Sequence, residues 1–351
     1  MLLTSPYESA RRLVDNRWLQ LTAGGIASVG LAYAAFNAIM WRDVLDTFAH
    51  FPVGYLLLSL VPLVASMVLR AGRWSVLLNG EDVTFRQIFI TQNAGIGLNN
   101  MLPVRVGSEA LQLGLVTRRY KVPLPRALAS LVGGNVLDIF ATGILMAVGI
   151  LLVPGLRDSK ISIQLFGAVI MLTVSLLVMV GASRGMGSIP IANRFDFFHR
   201  IIGALRDLRK EPVRLALSFA ATFLHWFLMG VTGWVLGLGL GIDVDPLTMA
   251  TVLVAATFFT SAMLSLPGGT GTYHFAVVSM LVALGADRAL AFSFAFVMHL
   301  LVFVPPMLLA LVVMTRLGSG AILRNRQPAA VFGGESPKRR PEDTPDEMRP
   351  S

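Results

Sequence analysis

The sequence predicts an all-α integral membrane protein with about six full spans and two re-entrant helical hairpins, eight hydrophobic helices by a simple count. Three observations predict it. Of the 351 residues, 55% are hydrophobic and only 14% charged, mean hydropathy is +0.69, and apolar runs of about 20 residues recur along the chain. The 29 lysines and arginines gather mostly between alternate runs, as the positive-inside rule requires. Two apolar stretches are interrupted by glycine, proline and polar side chains. Hydrocarbon tolerates such backbone only where protein or a water-filled cavity surrounds it.

Met1–Arg17 is polar and carries Arg11, Arg12 and Arg17, so residues 1–17 read as a cytoplasmic N-terminus. The first span, Trp18–Trp41, has an interfacial tryptophan at each end. It lacks the short core and small-residue site of a cleavable signal. Phe51–Leu69 is the second span, closed by Arg70 and Arg73. Thr84–Leu102 begins apolar and turns polar at Gln92, Asn93, Asn99 and Asn100. After the Pro103 loop, Val106–Val116 covers only about three turns, too short to cross a bilayer. Thr84–Val116 is therefore expected to enter the membrane and return to the same side.

Ala127–Val153, with Asn135 and Asp138 near its middle, and Ile161–Ala182 are further spans. Between Ser183 and Arg214, Phe195, Phe198, Ile202, Leu205 and Leu208 fall at helical spacing opposite Arg200, Arg206, Arg209 and Lys210. That is the pattern of an amphipathic helix on an anionic leaflet. Leu215–Leu240 spans again with His225 inside, and Leu247–Leu266 and Thr272–Leu284 form the second hairpin around Pro267–Gly271. Arg288–Thr315 is the last span, ending a membrane domain of residues 18–316. The tail, 317–351, is rich in proline, glycine and charge and is expected to be cytoplasmic and largely disordered.

The two hairpins share a layout. Gly95–Glu109 (GIGLNNMLPVRVGSE) and Ala262–His274 (AMLSLPGGTGTYH) each carry Met-Leu closely followed by proline, with glycine four residues after it: Pro103/Gly107 and Pro267/Gly271. The tetrapeptide Arg-Ala-Leu-Ala follows each, at Arg126–Ala129 and Arg288–Ala291. With both hairpins re-entrant and the N-terminus inside, every lysine and arginine is cytoplasmic except Arg42, Arg105, Arg157, Lys160 and Arg288. One hairpin then enters from the cytoplasm and the other from outside, which makes an inverted repeat, the architecture of alternating-access transporters. Counting the second hairpin as two crossings leaves both termini inside as well, so the charges fix orientation better than span number.

On this topology Arg105, Glu109 and Asp138 are the charged side chains at membrane depth. An uncompensated charge there costs about 3 kcal/mol or more, so pairing is expected. Arg105 either pairs with Glu109 or Asp138 and staples the hairpin, or offers its planar fork to a lipid phosphate. Gly107 and Gly271 let backbone approach a headgroup. Asn99, Asn100 and Asn135 line a polar path or act as interhelical glue. His225, His274 and His299 lie in apolar segments, where a neutral core histidine is the commoner case. His274 follows the second loop directly and is the candidate for a proton-coupled step.

These residues resemble a known family. Pro103, Arg105, Gly107 and Glu109 match the P-x-R-x-G-x-E element of the lysylphosphatidylglycerol synthase transmembrane (flippase-like) family, and Pro267, Gly268, Gly269 and Gly271 match its P-G-G-x-G element. The similarity covers roughly Trp18 to Arg316. It implies a multi-pass protein of the bacterial inner membrane, with cytoplasmic termini, that moves lipids between leaflets. Many relatives carry an acidic residue where this chain has His274. No aminoacyl-transferring domain follows Arg316, so aminoacyl-lipid synthesis is not implied.

The chain has 0 cysteines, which excludes disulfides, thiolate nucleophiles and cysteine-ligated metals. It shows no metal-ligand spacing, P-loop or dinucleotide fingerprint, so no metal, no cofactor and no ATPase site is expected. The net charge of +9 follows from the cytoplasmic segments and does not call for nucleic acid. The expected function is translocation of a lipid with a polar or anionic headgroup, without enzymatic activity. Its expected partners are membrane lipids and lipid-synthesis enzymes. The alternative is a membrane-embedded enzyme or accessory subunit of lipid or glycolipid synthesis, with Glu109, Asp138 and His274 as acid–base groups.

Overall fold

A computed structural model describes residues 41–78, 80–101, 106–153, 211–262 and 267–317, together with 26, 29–31 and 33. Most of the expected span Trp18–Trp41, the expected span Ile161–Ala182, the expected amphipathic helix, Pro103, Arg105 and the tail lie outside these residues.

Every regular element among the described residues is helical. From Trp41 onward they are α1 (Trp41–Ala49), α2 (Val53–Leu77), α3 (Phe85–Met101), α4 (Val106–Gly114, running into a π turn at Leu115–Arg119) and α5 (Leu124–Leu152). Then come α6 (Pro212–Gly239), α7 (Pro246–Ala262), a 3-10 turn (Pro267–Gly269), α8 (Thr272–Ala283) and α9 (Arg288–Leu317). Four of them, α2, α5, α6 and α9, are long and apolar enough to cross a membrane. Their outward faces carry side chains that water would not tolerate in such number, among them Leu57, Val61, Leu152, Leu217, Leu308 and Leu311. This is an all-α membrane protein.

Local sequence explains the ends. Thr84 and Gln87 exchange hydrogen bonds as a capping box before α3: the Thr84 amide donates to Gln87 Oε1 at 2.9 Å and the Gln87 amide to Thr84 Oγ1 at 3.4 Å. Asp245 caps α7, accepting from the amides of Leu247 (2.9 Å) and Thr248 (3.0 Å) and from the Thr248 hydroxyl. Asp287 accepts from the amides of Ala289 and Leu290 ahead of α9. Pro212 opens α6, where its missing N–H costs nothing.

The element order repeats. A long helix (α2, α6) precedes an arm of 17 residues (α3, α7), a break, a short arm (α4, α8) and a second long helix (α5, α9). The two Arg-Ala-Leu-Ala tetrapeptides fall in matching places, at the starts of α5 and α9. The leading helices, α2 and α6, make the most extensive contact in the fold. Small and hydroxylated residues (Ser59, Ser66, Ser218, Thr222) are buried on these two helices. In lipid, where apolar surface gains nothing from leaving solvent, close backbone approach and interhelical polar contacts hold such pairs together. The main apolar core lies among α5, α6, α7, α8 and α9, around Met146, Leu236, Met249, Leu281, Phe294 and Met298.

The fold departs from the sequence reading at one consequential place. The second span does not end at Leu69: α2 continues through Arg70 and Arg73 to Leu77. Trp74, Leu77 and Leu78 beyond the arginines are buried, so the helix gains core contacts by continuing. Arg70 and Arg73 are part of the bundle and not loop cations.

Candidate functional site

The charged centre of the molecule is built on α2. Arg73 is 5% exposed, and its Nη1 lies 2.6 Å from Asp138 Oδ1 on α5. The same nitrogen donates to Thr222 Oγ1 on α6 at 3.3 Å, and Trp226 Nε1 donates to Asp138 Oδ1 at 3.3 Å. One turn on, His225 Nδ1 donates to the Ser66 carbonyl at 3.0 Å. The network therefore ties α2, α5 and α6 together through one carboxylate. Gly134 lies against the guanidinium, where a Cβ would meet Arg73 Nη2 at an ordinary contact distance of 3.6 Å.

Beside this network lies a cavity of about 70 Å³ between α2, α3, α4 and α5. Arg70 and Arg73 line it from α2, Gln92 from α3, Ser108, Glu109 and Gln112 from α4, and Ser130 and Asn135 from α5. Gln112 Nε2 donates to Ser108 Oγ at 2.8 Å, and Trp74 Nε1 donates to Ser130 Oγ at 3.0 Å. Arg70 Nε, Arg73 Nε and Gln92 Oε1 are buried without a hydrogen-bond partner. Buried polar groups left unsatisfied are rare and call for an explanation.

The predicted site residues divide. Glu109, in the first turn of α4, and Asn135 line the cavity, both exposed at its rim, and Asp138 adjoins it through Arg73. Asn99 and Asn100 are half-buried in the last turn of α3, with Asn99 Oδ1 unpartnered. Gly107 lies in the first turn of α4. Pro103 and Arg105, with the pairings expected for Arg105, are outside the described residues; Asp138 pairs with Arg73. Arg73 and Arg70 were missed as site residues because a pair of arginines after an apolar run reads as its end. The signal that places them inside is the apolar Trp74, Val76, Leu77 and Leu78 that follow.

The second loop is built of backbone that only glycine adopts freely. Pro267 starts the 3-10 turn, Gly268 has φ 67 and Gly269 φ 74, and Gly271 caps α8 with φ 88. A Cβ on Gly268 would sit 2.0 Å from the Phe303 ring, and one on Gly269 2.2 Å from Thr260 Cγ2. This turn packs against α3, so the break of one hairpin touches the arm of the other. On α8, His274 stacks on His299 of α9, with ring centroids 4.8 Å apart and planes 14° from parallel. Tyr273 and Phe303 pack edge-on or tilted against His299, and His274 Nδ1 is buried without a partner. Neither histidine lines the polar cavity. The carboxylates and His274 therefore do not form one acid–base cluster among the described residues, and these residues hold no group of three metal-ligating side chains.

A bundle of membrane-spanning helices around a buried arginine–carboxylate centre defines a polytopic membrane protein, and comparison with known sequences specifies it. Residues 20–310 match the lysylphosphatidylglycerol synthase TM region, so the chain belongs to that family. It is 22% identical to a UPF0104 membrane protein of Pyrococcus horikoshii over 78% of this chain and 88% of the relative. It is 24% identical to a UPF0104 membrane protein of Methanothermobacter thermautotrophicus over 68% of this chain and 81% of that one. Both relatives are archaeal.

Proposed function

We propose that this chain is a lipid translocase. It moves a lipid with a polar or anionic headgroup between leaflets of the cytoplasmic membrane, without performing chemistry on it. The observation that carries the reading is the meeting of the second hairpin's Pro267–Gly269 turn with α3, the arm that also walls the polar cavity. Broken helices within a bundle are how membrane proteins offer backbone and polar groups to a substrate at depth. The repeated element order supports a matching pair of hairpins, and the lysine and arginine distribution supports their entry from opposite sides with both termini cytoplasmic. A headgroup passing beside Arg70, Arg73, Glu109 and Asn135 exchanges its hydration for fixed polar partners, while the acyl chains stay against the apolar outer faces.

The test is reconstitution of the purified chain in liposomes containing headgroup-labelled phospholipids, with an impermeant quencher outside. The expected result is quenching beyond the outer-leaflet half, with the lipids chemically unchanged. Quenching that stops at the outer leaflet in protein-containing vesicles contradicts the proposal. A modified lipid product would favour an enzyme of lipid synthesis instead.

A further inference from the structure

Arg70 stands out because no side chain among the described residues contacts its charge directly. Among the described residues it makes no ion pair and no side-chain hydrogen bond, although it is half-buried on a membrane-spanning helix and its Nε is wholly enclosed. One turn later Arg73 takes Asp138, leaving its own Nε unpartnered as well. Asp138 lies in the field of both guanidiniums but touches only that of Arg73. Glu109, which also lines the cavity, is exposed at its rim and forms no ion pair with either arginine. Among the described residues, the enclosed part of the site thus holds two cations and one anion. A buried charge is kept in such a place only when something pairs with it.

We infer that this cavity binds a phosphate group, with Arg70 as its principal ligand and the Arg73–Asp138 pair behind it. This rests on the proposal that the cavity takes a lipid headgroup, and it names the part of the headgroup that is recognised. The guanidinium fork matches two oxygens of an oxyanion, a geometry lysine lacks. The neutral polar groups come from three further helices: Gln92 on α3, Ser108 and Gln112 on α4, Ser130 and Asn135 on α5. Partners converging from four directions suit a tetrahedral phosphate better than a flat carboxylate. A phosphate on a phospholipid and free inorganic phosphate present the same oxygens, and experiment separates them.

The full-length protein in detergent is loaded with dioleoylphosphatidylglycerol or with phosphate-free dioleoylglycerol, and retained lipid is counted by native mass spectrometry. Wild type is expected to prefer the phospholipid about tenfold. Arg70→Gln should lose that preference, Arg70→Lys should keep only part of it, and Arg118→Gln, at an exposed position away from the cavity, should keep all of it. Excess inorganic phosphate that displaces the lipid shows that the phosphate alone is read. Retention against that excess shows that the lipid-borne phosphate is required. Thermal melting separates site from scaffold: without a partner to strand, Arg70→Gln should melt no lower than wild type. Unchanged lipid preference in Arg70→Gln, no preference in wild type, or collapse of the fold in Arg70→Gln each overturns the inference. Preference without translocation in liposomes would leave this site standing and remove the translocase reading instead.

Discussion

Arg73 and Asp138 form a pair whose two halves behave differently when removed. Taking away one partner of a buried pair leaves an uncompensated charge and costs about 3–5 kcal/mol, so Arg73→Ala should lower thermal stability by that amount. Replacing both with apolar residues of similar size, Arg73→Met with Asp138→Leu, should restore most of it. Melting of the single and double variants measures this directly. The stacked histidines make the opposite case: His274→Phe keeps the ring against His299 and removes an unsatisfied buried nitrogen. Its stability should rise by about 1 kcal/mol, and a lower melting temperature would show that His274 Nδ1 has a partner. At this scale the sequence was half legible. Asp138, Glu109 and Asn135 announce themselves as polar residues in apolar runs, whereas Arg70 and Arg73 imitate the flank of a span.

Among the described residues every helix but α1 was legible, because each rests on local signals: apolar length, a cap, a proline or a glycine. The arms of both hairpins begin and end within a few residues of where composition changes, and the capping box at Thr84 is written in the sequence. What local signals cannot carry is which surfaces meet. Gly97 looks like an ordinary glycine in a helix, yet a Cβ there would fall 2.0 Å from the Pro306 carbonyl oxygen, on the proline-interrupted part of α9. Gly97→Ala should therefore destabilise by about 1–3 kcal/mol, as overpacking does. Gly114→Ala, with open space around it, should be neutral or stabilising by up to about 1 kcal/mol. Denaturation of the two variants side by side checks the contrast. The cap at Asp245 gives a pH dependence. Burial pushes its carboxyl up, but hydrogen bonds from the Thr248 side chain and the Thr248 and Leu247 amides outweigh this and hold it below the usual carboxylate range. Its contribution is thus fully present above the unfolded value, about 4, and is lost as pH falls through the lower folded value. Asp245→Ala should cost about 1 kcal/mol at neutral pH, and the gap to wild type should close in melts carried to progressively more acid pH.

For the whole molecule, composition alone identified a membrane bundle, and the shared loop pattern pointed to a repeat that the element order reproduces. The meeting of the Pro267–Gly269 turn with α3 was less legible, since it depends on packing between segments more than 150 residues apart in sequence. The account's central claim is that the polar cavity beside this meeting point is the path of a lipid headgroup. It is tested most directly by lipid translocation in liposomes for the Arg73→Met, Asp138→Leu double variant beside wild type. Substituting a buried ion pair with apolar residues is often neutral or stabilising, so the variant is expected to fold and to melt within about 1 kcal/mol of wild type. With the pair behind Arg70 gone, and Arg70 and Glu109 the charged side chains left on the wall among the described residues, translocation should fall well below the wild-type rate. A folded double variant that moves lipid at the wild-type rate would contradict the account and reduce the Arg73–Asp138 pair to a staple between helices.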